Sequence, residues 1–368
     1  MTPEIESELG GGRIGRLDGV RTIAVLAVFA FHTGFLNDGW IGVHLFFVLS
    51  GFLITGILRR ARTEPHFWGP FYIKRAARIL PPLVIIFIAA AVMYKVMPWH
   101  RAGLLDLFFL GNVSQTLYPR KDANLGVLWS LAVEEHFYLF WPFAIRFLDR
   151  RRIMQILVAA LILEPMLRAA ATPFVASYIP IYNLTPFQLD GLAAGSLLAL
   201  LFENKNNLQP LKKWSGYASL ASLVLLQGLY RLPFFHDDSN SLAFNSLGYS
   251  LVVFLSASFV TYVLLRPDAW VVRQVGRPWV VFIGTISYGM YLFNPIPLSL
   301  CIRFVHRHGI HHDKAAVPFA LALTILMSWV SFRFYETPII KWGRRKAKAY
   351  ERGNHPLPLS PLVNASRD

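Results

Sequence analysis

The chain has 368 residues, 55% of them hydrophobic, and a positive mean hydropathy, which excludes an ordinary soluble globular protein of this length. A formal net charge of +15 would fit a nucleic-acid partner. The Lys and Arg residues, however, fall in short clusters between long apolar runs, a distribution that reflects membrane topology and argues against nucleic acid.

The single cysteine, Cys301, excludes intramolecular disulfides and cysteine-based zinc or thioredoxin-like sites. Residues 1–16 are polar and acidic and lack the charged-then-apolar order of a signal peptide, so they read as a retained cytoplasmic tail.

A spanning helix needs about 20 mostly apolar residues, because each adds about 1.5 Å across a hydrocarbon core of about 30 Å. Ten segments qualify, near 20–36, 41–57, 80–97, 126–147, 153–172, 183–203, 214–230, 244–265, 279–300 and 316–335. The apolar stretch Leu104 to Val113 is too short to span and is expected to be a re-entrant or interfacial helix.

With the N-terminus inside and ten alternating spans, 25 of the 36 Lys and Arg residues fall on the inner side and seven on the outer. Counting Leu104 to Val113 as another span would put Arg146 to Arg152 outside, against the positive-inside rule. The expectation is an all-α polytopic protein of the bacterial cytoplasmic membrane with both termini in the cytoplasm. One transmembrane domain covers 17–342, and 343–368 is a basic, proline-containing cytoplasmic tail.

Ionisable groups inside these spans each cost about 2.5 to 3.5 kcal/mol at a helix centre, so each needs a reason. Arg21 and His32 are eleven positions apart, about three turns and about 16 Å along the axis, and so share one face of the first span. Arg21 is expected near the cytoplasmic surface and His32 deep in the membrane. An apolar setting favours the neutral imidazole that a general base requires. The bland alternative is an interface arginine with a histidine hydrogen-bonded in the bundle core.

Further along, Arg59, Arg60 and Arg62 suit topology setting and anionic lipid head groups. Arg75 and Arg78, three apart on a helix, can grip one anion together. In the fourth span Ser130, Glu134 and Tyr138 share a face at four-residue spacing, whereas the adjacent Glu135 points about 100° away. One carboxylate could orient His32 or bind substrate hydroxyls and the other form an interhelix ion pair, and spacing does not say which.

Several features favour plain structural roles. Glu164 and Arg168 are four apart and should neutralise each other, Gly191 to Ser196 permits close helix packing, and His44 and His136 suit packed, hydrogen-bonded positions. His306, His308, His311 and His312 lack regular ligand spacing and a carboxylate-rich context, so no metal is expected.

Seven motifs occur in order over most of the chain. Leu17-Asp18-Gly19-Val20-Arg21 is followed after ten residues by His32, then Gly42-Val43 leads to Phe46-Phe47-Val48-Leu49-Ser50-Gly51-Phe52-Leu53. Arg75-Ala-Ala-Arg78, Trp129-Ser130-Leu131 to Tyr138, Leu189-Asp190-Gly191 with Gly195, Ile286-Ser287-Tyr288 to Leu292, and Phe332 to Glu336-Thr337-Pro338 complete the series. Together these resemble the acyltransferase 3 family of membrane O-acyltransferases.

The resemblance implies transfer of an acyl group, often acetyl, from cytoplasmic acyl-CoA to a hydroxyl, commonly on a cell-surface or exported glycan. It implies His32 as the catalytic residue, with Arg21, Arg75 and Arg78 at the donor, and a mechanism in which Glu134 or Glu135 helps orient His32 is the expectation built on it. Ser130, Tyr138 and Asp190 are then the expected acceptor-binding residues. The chain departs from the family pattern at His136, where glutamine is usual, and at Asn294, where histidine is usual.

Some relatives carry a fused extracytoplasmic hydrolase-like domain, for which this chain has no room, so it is expected to act alone or with a separate extracytoplasmic partner. Acylation of a small antibiotic or macrolide hydroxyl is the main alternative acceptor chemistry. A transporter is disfavoured because paired broken segments in two halves are not found.

Overall fold

The computed structural model describes residues 15–94, 101–118, 125–310 and 312–351. Residues 1–14 and 352–368 of the expected tails, and also Lys95 and His311, lie outside the described residues. Among the described residues the secondary structure is helical and no strand forms.

The first helix, α1 (Gly15–His32), carries Asp18 in its first turn, where a carboxylate complements the helix dipole. It stops at His32 because Gly34 adopts a positive φ of 67° and the amide of Phe35 folds back onto the carbonyl of Ala30 at 2.9 Å. This stop sets His32 in the terminal turn, with its side chain partly exposed. A 3-10 turn, Asn37–Trp40, leads into α2 (Ile41–Ala61), which is followed by α3 (Trp68–Tyr94).

The short apolar stretch is two helices rather than one: α4 (Arg101–Leu107) and α5 (Gly111–Leu117). The turn between them holds Phe109 at a φ of 57°, a conformation that no continuous helix accommodates. There follow α6 (Leu128–Phe147), α7 (Arg150–Ala171), α8 (Leu189–Phe202), α9 (Lys205–Leu229) and α10 (Tyr249–Leu265).

The segment expected as one span at 279–300 is broken into α11 (Pro278–Thr285), α12 (Ser287–Phe293) and α13 (Pro295–Arg307). Ser287 Oγ donates to the Gly284 carbonyl at 2.8 Å at the first break. Pro295 marks the second, where it supplies no N–H to continue the ladder. The last helices are α14 (Val317–Val330) and α15 (Thr337–Glu351), joined by a π-helical turn. The described part of α15 runs through the boundary expected at 342, with Gly343 seated against Ala77 of α3.

Among the described residues, five helical stretches are long and apolar enough to cross a membrane: Asn37–Ala61, Trp68–Val92, Arg150–Phe174, Phe244–Leu265 and Asp313–Glu351. Large apolar side chains such as Val92, Phe140 and Ile162 are exposed on the outside of the bundle, as a hydrocarbon solvent permits. The protein is a multi-pass membrane protein.

Its centre is the contact between α2 and α8. Gly51 faces the backbone of Leu192 and Gly195 faces the backbone of Val48, so closely that a methyl group at either would collide with a carbonyl. The close approach lets Thr55 Oγ1 donate to Ser196 Oγ at 2.8 Å while accepting from Trp141 Nε1 at 2.8 Å.

A buried ion cluster fastens α7 to α8. Arg168 is fully buried, and its Nη2 lies 2.8 Å from Asp190 Oδ2 and 2.6 Å from Ser250 Oγ. Glu164, the expected partner, forms a longer ion pair with Arg168 at 3.6 Å and also accepts from the Leu189 amide at 2.7 Å, one of the donors that a helix start leaves unpaired. Asp190, expected at the acceptor, is committed to this cluster and also accepts from the Gly191 amide at 2.9 Å.

Candidate active site

A narrow cavity of about 110 Å³ lies in mid-bundle, walled by α1, α2, α3, α6 and α12. It has room for a few waters or a slender chain, not for a sugar ring. Arg21, Arg75 and Arg78 all line it, so the three residues expected at the donor converge from two helices on one space.

Their settings differ. Arg21 Nη1 is 2.5 Å from the buried Asp18 Oδ1, one turn earlier on α1. The Arg75 guanidinium lies over the Tyr138 ring, 3.6 Å from its centroid, and its buried Nε makes no hydrogen bond. Stacking of this kind holds a planar cation in place while leaving its edge available to an anion.

Opposite the arginines, Glu134 lines the cavity and its Oε1 accepts from Ser50 Oγ at 2.6 Å. Glu135 is absent from the lining, and its Oε1 is buried without a hydrogen bond. The 100° between adjacent helical residues thus places Glu134, not Glu135, at the site. Ser130 and Tyr138 also face the cavity, and the Ser130 and Tyr291 hydroxyls share a hydrogen bond of 2.5 Å. Asp190 does not line it.

His32 lies beside this chamber rather than on its wall. Its Nδ1 is 2.6 Å from Asn294 Oδ1, and Asn294 Nδ2 donates to the Tyr291 carbonyl at 2.7 Å. An asparagine, not Glu134 or Glu135, therefore orients the imidazole. Tyr291 is the link between the two, since its side chain lines the chamber.

Sequence reasoning assigned no role to Ser50, Tyr288, Tyr291 or Asn294. Ser50 and Tyr288 stand inside the motifs and line the cavity, while Asn294 stands where the family pattern has histidine. Its position just before the helix break at Pro295 was the available signal.

The other histidines have plain surroundings. His44 is fully buried and its ring lies stacked 5.7 Å from Tyr249, with neither ring nitrogen in a hydrogen bond. His136 Nδ1 lies 2.6 Å from Thr185 Oγ1, His306 Nε2 2.7 Å from Asp313 Oδ1, and His308 Nδ1 2.8 Å from the Phe304 carbonyl.

Two larger cavities flank the chamber at opposite ends of α2, a helix of 21 residues and so about 30 Å long. Near its C-terminal end a space of about 620 Å³ is lined by Lys74, Arg75, Arg78 and Arg344 together with Glu64 and Glu351, a set that is basic on balance, so Arg75 and Arg78 belong to both this mouth and the chamber. Near its N-terminal end a space of about 910 Å³ is lined by Phe31, Asp38, Trp40, Trp129 and Asp237, among others. His32 directly follows Phe31, a lining residue of this outer space, in the chain.

A family model described as an acyltransferase domain matches residues 14–336. The chain belongs to the acyltransferase 3 family. A Staphylococcus aureus (strain COL) protein that carries the provisional name O-acetyltransferase is 29% identical over 355 residues, covering 89% of this chain and 57% of that protein. The O-acetyltransferase OatA of Staphylococcus aureus (strain NCTC 8325 / PS 47) is 28% identical over 353 residues, with the same coverage of 89% and 57%. The chain thus spans a little over half the length of these curated relatives. No solved structure matches. In this acyltransferase domain the motif residues Arg21, Arg75, Arg78, Ser130 and Tyr138 meet around the mid-bundle chamber, together with Ser50 and Tyr288.

Proposed function

We infer that this protein transfers an acetyl group from acetyl-CoA to a hydroxyl of a cell-surface or exported glycan, working across the bacterial cytoplasmic membrane. The supporting topology has ten spans, counting the broken segment 278–307 as one, with both termini in the cytoplasm. The mouth lined by Lys74, Arg75, Arg78 and Arg344 then faces the cytosol, as the positive-inside rule requires.

The observation that carries this reading is the sharing of Arg75 and Arg78 between the basic mouth and the narrow chamber. Guanidinium groups suit the phosphates of CoA, and the chamber suits the slender thioester arm. His32 stands at the far side. Because Asn294 Oδ1 can only accept, the neutral ring carries its proton on Nδ1 and presents the lone pair of Nε2 as a general base. The base takes the proton of the acceptor hydroxyl as its oxygen attacks the thioester carbonyl, and CoA leaves toward the cytosol. A covalent acyl-histidine relay is the alternative order of the same steps.

The test uses purified protein in lipid nanodiscs with acetyl-labelled acetyl-CoA. Label passing to extracted glycan acceptor, and lost in a His32→Ala variant that still binds acetyl-CoA, supports the reading. Full transfer by His32→Ala refutes the mechanism. Label found on a small hydroxylated metabolite instead of glycan would move the acceptor class, since the outer cavity of about 910 Å³ accommodates either.

A further inference from the structure

The outer cavity is built differently from the rest of this basic protein. Three carboxylates, Asp38, Asp237 and Asp238, line it together with one imidazole, His236, and no Lys or Arg is found among the described lining residues. The chain as a whole carries a net charge of +15, so the acidic cavity runs against the general sign.

Aromatic rings form much of the remaining wall, including Trp40, Trp129 and Tyr182, and the ring centroids of Trp129 and Tyr182 are 4.5 Å apart. Such rings offer apolar faces to the C–H faces of a saturated ring and attract cations through their negative π-faces. Carboxylates beside them accept hydrogen bonds from hydroxyl or ammonium groups.

Two buried polar atoms also point to a ligand. Trp40, which is 3% exposed, has its indole Nε1 buried beside the Asp237 carboxylate, as is Tyr230 Oη, yet neither reaches it in normal hydrogen-bond geometry. Both residues line the cavity. Burial, followed by the neighbouring Asp38 and Asp238 carboxylates, pushes the Asp237 carboxyl above its ordinary range. Buried polar groups of this kind cost free energy unless a ligand or ordered water completes them.

We propose that this cavity is the acceptor site and selects a hydroxylated acceptor that is neutral or amine-bearing, such as an amino sugar, while rejecting acceptors that carry carboxylate or phosphate. This rests on the reading of the chain as an acyltransferase with its donor at the opposite, basic end. The charge division has a clear use: an anionic acceptor is kept from the arginines that hold the donor, and CoA is kept from the acceptor space.

The experiment measures binding of three tetrasaccharides to the protein in nanodiscs of zwitterionic lipid, without acetyl-CoA. The probes are tetraglucosamine, chitotetraose and tetragalacturonate. Tetraglucosamine is expected to bind about tenfold tighter than tetragalacturonate, with chitotetraose between them. General attraction to a chain of net charge +15 would give the reverse order. In the Asp38→Asn/Asp237→Asn/Asp238→Asn variant the ratio falls to about threefold or less, whereas Gln115→Glu, at another lining position, widens it.

Equal binding of the charged probes by the unaltered protein, or binding of none, overturns the proposal. So does an unchanged ratio in the triple variant when acetyl-CoA binding is intact. If that variant fails to fold, Gln115→Glu decides alone: a wider ratio supports the site and an unchanged one removes it. Because the tetrasaccharides are tested without donor, failure of acetyl-CoA to bind or be consumed counts against acyl transfer and leaves this result standing.

Discussion

His32 Nδ1 lies 2.6 Å from Asn294 Oδ1, and this contact decides which imidazole nitrogen can act as a base. The amide cannot be read the other way round, because its Nδ2 donates to the Tyr291 carbonyl at 2.7 Å. The contact joins α1 to the break between α12 and α13, residues that are remote in sequence.

Replacing Asn294 by Ala should therefore leave acetyl-CoA binding intact and lower kcat by about 10- to 100-fold, the usual cost of losing a partner that orients a functional histidine. Steady-state kinetics check this. An unchanged kcat would show that the ring is oriented by something else.

The Arg75 guanidinium stacks on Tyr138 at 3.6 Å. A lysine keeps the charge but loses the planar stack and the paired N–H edge, so Arg75→Lys should weaken acetyl-CoA binding by about tenfold, and Arg75→Ala by more. Calorimetry on nanodisc-embedded protein gives the comparison. Equal affinity in Arg75→Lys would mean that only charge matters there.

The two adjacent glutamates should separate cleanly. Glu134→Gln alters a group that lines the chamber and accepts from Ser50 at 2.6 Å, and should reduce acetyl transfer by about 100-fold. Glu135→Gln neutralises a carboxylate outside the chamber lining, whose buried Oε1 makes no hydrogen bond, and should lower transfer far less. The reverse outcome in a transfer assay would contradict the geometry.

Asp190 should behave as a structural residue. Because it pairs with the fully buried Arg168 at 2.8 Å, Asp190→Ala should destabilise the fold by about 1 to 3 kcal/mol, the cost of losing a charged hydrogen bond while Arg168 keeps its longer ion pair to Glu164 at 3.6 Å. Thermal unfolding in detergent would show a lowered Tm together with the loss of activity. A raised acceptor KM at unchanged Tm would instead restore the acceptor role expected from sequence.

Much of the architecture was legible beforehand, because apolar length and the placement of Lys and Arg are local properties of a chain in a membrane. The helices α2, α3, α6, α7, α9 and α10 cover most of the segments that hydropathy marks between 41 and 265. The break of the ninth segment was harder to see, since hydropathy is blind to it and only Pro295 signalled it.

Read alone, the sequence established a helical membrane protein, its family resemblance, and the set of polar residues whose burial demanded a reason. Its periodicity also separated the faces of Glu134 and Glu135. The tertiary structure alone decided which of them lines the chamber, that Asp190 serves Arg168, and that Asn294 holds His32. Spacing along a helix specifies direction around one axis, whereas contact depends on how several axes pack, and those approaches are set by small residues such as Gly51 and Gly195 acting between distant parts of the chain.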